Sequence, residues 1–145
     1  MWEEEESLLD DIVQFFDDMD EELYVDMIVD MGEYPLELRL AHLMLYTADA
    51  DWEVSDDEED VLKDHLKVFL TDMGIDRKAK KVLKKAYKLL EDEALLEESV
   101  DLLGSYLPNE TLASFTNILI DIAAADEFVE EEENFLYQLM QRWQL

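Results

Sequence analysis

Two stretches of this chain bring carboxylates together at a spacing suited to a hard cation. The first is Ala48-Asp49-Ala50-Asp51-Trp52-Glu53-Val54-Ser55-Asp56-Asp57-Glu58. The second is Ala123-Ala124-Ala125-Asp126-Glu127-Phe128-Val129-Glu130-Glu131-Glu132-Glu133. Both read Ala-Asp, two residues, Val, three residues, Glu. With Glu58 on the final bidentate position of a calcium loop, Asp49 and Asp51 fall on earlier carboxylate positions and Glu53 offers its carbonyl. Thr47 then occupies the first ligand position, and Trp52 stands where the sharp turn calls for Gly. The second turn keeps Asp126, Glu130 and Glu133 as oxygen donors, but Ile122 and Ala124 take its first two ligand positions. With carboxylate donors and no cysteine, the matching ions are Ca²⁺, Mg²⁺ or Mn²⁺ and not Zn²⁺. The same residues also have a structural use. Glu58 and Glu133 are placed to bond back to the start of their helices, and Asp51 and Asp126 suit turns.

A second constellation is basic. Arg77, Lys78, Lys80, Lys81, Lys84, Lys85 and Lys88 fall within twelve residues that hold no acid, a local charge of +7. The whole chain carries −29, so the remainder carries −36. Arg77, Lys78, Lys81, Lys84, Lys85 and Lys88 are the candidate partner-binding residues. They have three readings: ion pairs with acidic helices of the same molecule, docking on the acidic surface of a second copy to form a homo-oligomer, or contact with phosphates. Forty acids against eleven bases oppose direct binding of nucleic acid or of an anionic membrane, and favour basic partners and cations.

No catalytic signature accompanies these groups. His-x-x-x-His, Gly-x-Ser-x-Gly and phosphate-cradling Gly loops are missing. His65 lies on an apolar stripe between Val61 and Phe69, as a hydrogen-bonded core histidine would, and His42 has no second histidine at metal spacing. A non-enzymatic protein is the expectation. No apolar run approaches the roughly 20 residues that span a bilayer, so no membrane insertion is expected. The acidic start, Met1-Trp2-Glu3-Glu4-Glu5-Glu6, is unlike a secretory signal, and a cytoplasmic setting is the default.

The elements that position these groups are all helical. Leu8, Leu9, Ile12, Val13, Phe16 and Met19 repeat at helical spacing, as do Leu23, Tyr24, Met27, Ile28 and Met31 before Gly32. Pro35 opens a third helix, apolar nearly all round and so central, that runs to about Ala48. Ser55 caps a fourth helix, with Glu58 completing a capping box, and Met73-Gly74 ends it. Asp76 caps the basic helix, whose inner face is Ala79, Val82, Leu83, Ala86, Tyr87 and Leu90. A sixth helix stops before Pro108. Asn109 caps a seventh, again apolar almost all round, and an eighth carries Phe135, Leu136, Leu139, Met140 and Trp143. With only three Gly and two Pro, no strand pattern competes. The expected fold is all-α, one domain over 1–145 with repeat halves at about 20–74 and 75–145.

The third and fourth helices repeat in the seventh and eighth. Leu40, Leu43 and Met44 match Phe115, Ile118 and Leu119 at one offset. Beyond the turns the offset slips by one, so that Phe135 and Leu136 best match Val61 and Leu62. This pattern resembles the TerB-like family, named for the tellurite-resistance protein TerB. Its hallmark is an Ala-Asp-Gly-x-Ile/Val-x-x-x-Glu turn after a buried helix. Here those turns fall at Asp51, Val54, Glu58 and at Asp126, Val129, Glu133, with Trp52 and Glu127 in place of the family's Gly. The resemblance spans residues 20 to 145 by helix count. It implies about seven helices in two pseudo-symmetric halves and a stress or tellurite-resistance context. It also implies that the acidic turns are candidate metal sites. The functional expectation is a protein-binding module, its partner basic, with weak divalent-cation binding at the turns. The alternative is an acidic decoy that mimics DNA and inhibits a nucleic-acid-binding protein.

Overall fold

Long-side-chain residues with few β-branches, Gly or Pro favour helices, and the described residues follow that bias. The computed structural model describes residues 12–48, 56–125 and 130–145. Among these, helix α1 covers 12–18, followed by α2 (Glu21–Met31), α3 (Leu36–Ala48), α4 (Asp56–Asp72) and α5 (Ala79–Lys88). Then come α6 (Glu93–Tyr106), α7 (Asn109–Ala123) and α8 (Glu130–Arg142). No strand is present among the described residues. The all-helical expectation and its eight segments are met.

Every residue of α3 except Tyr46 is buried. A helix with no polar face must be surrounded, and α3 packs on α4, α5, α6, α7 and α8. Helix α7 is the second central element, lying against α3, α4 and α8. The core runs continuously through Met27, Leu43, Leu45, Leu62, Leu66, Leu103, Leu119 and Ile122. The aromatic pair Tyr46–Phe135, with centroids 5.0 Å apart, ties α3 to α8.

Helix ends follow backbone chemistry more than the side chains expected of them. Gly32 and Gly74 take φ of 61° and 69° just after α2 and α4, a left-handed region that costs a side chain about 1–2 kcal/mol. At α5 the expected Asp76 cap is replaced. The cap residue is Lys78, with no side-chain bond, because the chain turns through Ile75–Arg77 before the helix begins. Helix α7 begins at Asn109 itself, with Pro108 as its cap residue and no side-chain bond. Asp20 and Asp92 do cap, accepting from the amides of Glu22 and Leu95. Ser55 lies outside the described residues.

One buried cation joins α2, α3 and α6. Arg39, 1% exposed in the first turn of α3, donates from Nε to Tyr34 O and from Nη2 to Met31 O, each at 2.7 Å. Its Nη1 reaches Ser99 Oγ at 3.0 Å, and Nη2 also meets Glu98 Oε1 at 2.7 Å. One guanidinium therefore closes the end of α2 and clamps α6 onto α3. Burying a charge is tolerable only with this degree of pairing.

Candidate functional site in the acidic turns and the basic groove

The carboxylates following each turn do not behave alike. Glu58 sits in the first turn of α4 and is 2% exposed. It begins an inward stripe that continues through Leu62, Leu66 and Phe69, at spacings of four, four and three. In α8 the corresponding stripe is Glu132, Leu136, Leu139 and Trp143, with Glu132 fully buried. Glu133 and Glu130 are exposed. Pairing Glu58 with Glu133 therefore needs correction: the buried counterpart is Glu132. The one-residue slip already visible at Leu62 and Leu136 begins at the glutamate, because burial follows the helical stripe of α8 and not the count from the turn.

Two carboxylates are thus removed from water, one per half, each in the positive first turn of its helix. Desolvation of a carboxylate is costly without compensation, and both Glu58 and Glu132 have interacting partners. Asp49, Asp51 and Asp126 lie outside the described residues. Among the described residues no three acids or histidines converge as a metal cluster. Thr47 is buried, and its hydroxyl donates within α3 to Leu43 O at 2.9 Å.

The histidines are core groups. His65 Nε2 donates to Asp121 Oδ2 at 2.9 Å and ties α4 to α7. His42 is fully buried, and its Nε2 donates to Leu89 O at 2.7 Å. Burial holds its pKa below the usual 6.5, partly offset by that backbone bond, so the ring is neutral near pH 7.

The basic residues form an open surface. Helix α5 buries Ala79, Val82, Leu83 and Ala86 and turns its lysines outward. The expected inner-face residue Tyr87 lies exposed instead, its hydroxyl donating to Glu59 at 3.1 Å. Arg77 stands 3.7 Å from Glu37 Oε1. None of the six lysines from Lys78 to Lys88 forms an ion pair among the described residues, whereas Lys63, Arg39 and Arg142 all do. Within the molecule Arg77 alone of this basic set is ion-paired among the described residues, and the six lysines are exposed. Arg77, Lys78, Lys81 and Lys85 line a groove of about 440 Å³ together with the apolar Leu38 and Val82 and one acid, Asp76. Lys84 and Lys88 lie off that groove.

Residue patterns hid three features. Arg39 was legible only as a lone cation in an apolar helix. Glu132 was one of four consecutive glutamates. The outer face of α2 was obscured because that helix is apolar on several sides: Val25, Ile28 and Val29 are 52%, 40% and 70% exposed.

No helix among the described residues is long and apolar enough to cross a membrane. No curated relative and no solved structure matches the chain. The family model of the tellurite resistance protein TerB matches residues 37–142, from the first turn of α3 to the last of α8. That span holds both buried-helix, acidic-turn units with Glu58 and Glu132, and the chain belongs to the TerB family.

Proposed function

We propose that this TerB-family protein is a non-enzymatic binding module, cytoplasmic, that engages a partner protein through a basic amphipathic helix of that partner. The observation that carries the reading is the outer face of α2. Val25, Ile28 and Val29 share an i, i+3, i+4 face turned away from the buried Met27 and Met31. The exposed acids Glu21, Glu22, Asp26 and Asp30 stand around it. An apolar strip rimmed by carboxylates complements a helix with an apolar face and lysine or arginine flanks. The family's description supplies the tellurite-resistance context of this proposal.

The test is binding of a model helical peptide of Lys and Leu, read by calorimetry on the whole chain. Val25→Ser with Val29→Ser removes apolar area without changing charge. Binding about thirtyfold weaker is expected, since each of the two valine side chains gives on the order of 1 kcal/mol when covered. Equal binding by the variant would leave only nonspecific charge attraction and end the reading.

A second role carried by the acidic run at the starts of α4 and α8 is weak binding of Ca²⁺, Mg²⁺ or Mn²⁺ at the two turns, with Glu58 as the described donor of the first. Glu130 and Glu133, exposed in the first turn of α8, are the described candidates of the second, and Asp49, Asp51 and Asp126 lie outside the described residues. Calcium and manganese titrations should release or absorb heat at millimolar metal, and Glu58→Gln should weaken the first site. A flat titration rejects this role and leaves a capping function for the acids.

A further inference from the structure

The lysine face of α5 has a local cost that no ion pair among the described residues offsets. Lys81–Lys84, Lys81–Lys85 and Lys84–Lys88 are like charges at i, i+3 or i, i+4, which oppose helix formation. Lys78 adds a cation at the positive end of the helix, where no side chain caps it. Forty acids are available to neutralise these groups. Even so, among the described residues none of the six lysines is ion-paired. A sequence that breaks local rules without an internal gain points to a binding site.

We propose that the groove between the start of α3 and α5 binds a short acidic peptide segment of a partner protein. Lys78, Lys81 and Lys85 line the groove at i, i+3 and i+7, a stripe about 10 Å long at a rise of ~1.5 Å per residue. Side chains on one side of an extended peptide stand about 7 Å apart, so two carboxylates cover most of that stripe. Leu38 and Val82 give an apolar floor for an intervening side chain, and the cavity of about 440 Å³ accommodates it. A phosphate ligand is less well served. Its recognition favours guanidinium forks and backbone cradles, and Arg77, the groove's guanidinium, faces Glu37 at 3.7 Å. A long polyanion would run off the patch onto a surface of charge −36. A second copy would bring −29 against −29.

The site is separate from the outer face of α2, and the two can fail independently. The probe is a short fluorescent peptide alternating Glu and Leu, followed by anisotropy with the whole chain, with a Gln-for-Glu peptide as control. Saturable binding that weakens with salt is expected, with none for the control. Lys78→Glu, Lys81→Glu and Lys85→Glu together should weaken it about tenfold or more, at roughly half a decade or less per exposed charge contact. All three side chains are exposed, and circular dichroism verifies that the variant stays folded. Val25→Ser with Val29→Ser should leave peptide affinity unchanged. Absence of binding at millimolar peptide, or equal binding by the reversed variant, overturns the proposal. So does tripolyphosphate binding more tightly than the peptide, which reassigns the groove to phosphate. Self-association abolished by the same reversals, without peptide binding, reassigns it to a second copy and overturns it too.

Discussion

At the residue scale, the buried polar groups carry the sharpest consequences. Arg39 holds two backbone carbonyls, a hydroxyl and a carboxylate at once. Arg39→Ala removes the donor for all four and should cost about 3–5 kcal/mol in urea unfolding. Arg39→Lys should recover only part, because a point ammonium cannot reproduce the planar fork. His42 makes stability depend on pH. Its folded-state pKa is depressed by burial, so below the unfolded value of 6.5 the unfolded chain binds the extra proton. The contribution of neutral His42 is therefore complete above pH 6.5 and is lost as pH falls through the depressed folded value. Urea unfolding at pH 7.5 and 5.5 should show a smaller loss for His42→Gln, which keeps a donor for Leu89 O, than for the parent. Tyr106 is a surface counterpart: its hydroxyl donates to Asp30, and that bond above all raises its pKa to about 12. A spectroscopic titration should find it among the last tyrosines to ionise.

At the element scale, close approaches and like charges decide more than propensity. A Cβ at Gly104 in α6 would meet Trp143 Cδ1 at 3.1 Å and Nε1 at 3.3 Å. Trp143 is buried and anchored by its Nε1 bond to Val100 O at 3.0 Å, so it cannot swing freely. Gly104→Ala should thus destabilise by about 1 kcal/mol or more, the overpacking cost exceeding the ~1 kcal/mol gained in helix propensity. Thermal melts would check this. Helix α5 makes the opposite case. Lys81→Glu turns a repulsive Lys81–Lys85 pair into a favourable Glu-to-Lys i, i+4 pair. At about 0.15 M salt, where long-range self-repulsion is largely screened, it should raise stability by a few tenths of a kcal/mol while weakening the basic groove. A variant that gains stability as it loses binding would show that the lysines are kept for a ligand.

At the scale of the whole molecule, the net charge of −29 governs the response to salt. Self-repulsion stored in the compact state is screened as the Debye length falls from about 30 Å at 0.01 M to about 8 Å at 0.15 M. The melting temperature should therefore rise over that range. A divalent salt at matched ionic strength should raise it further only where carboxylates bind the ion.

The all-helical class, the eight helices and the central place of α3 and α7 were legible in the sequence alone. Each follows from local periodicity and from how much apolar surface a helix must hide. The stripe Leu62, Leu66 and Phe69 was likewise legible, because inward positions recur every three or four residues. Which of four consecutive glutamates enters the core was not, since neighbours in a charge run are chemically alike and only α8's rotation against α3 and α7 selects Glu132. Nor could Arg39's four partners be read, two of them about sixty residues away in α6. The pairing of the lysines was likewise a tertiary matter. Sequence counts the acids available to them, but only the packing of α5 determines that its cations face solvent and line a groove. Composition and period set what this chain had to bury. The tertiary structure chose which charges were buried with it and which were left facing solvent.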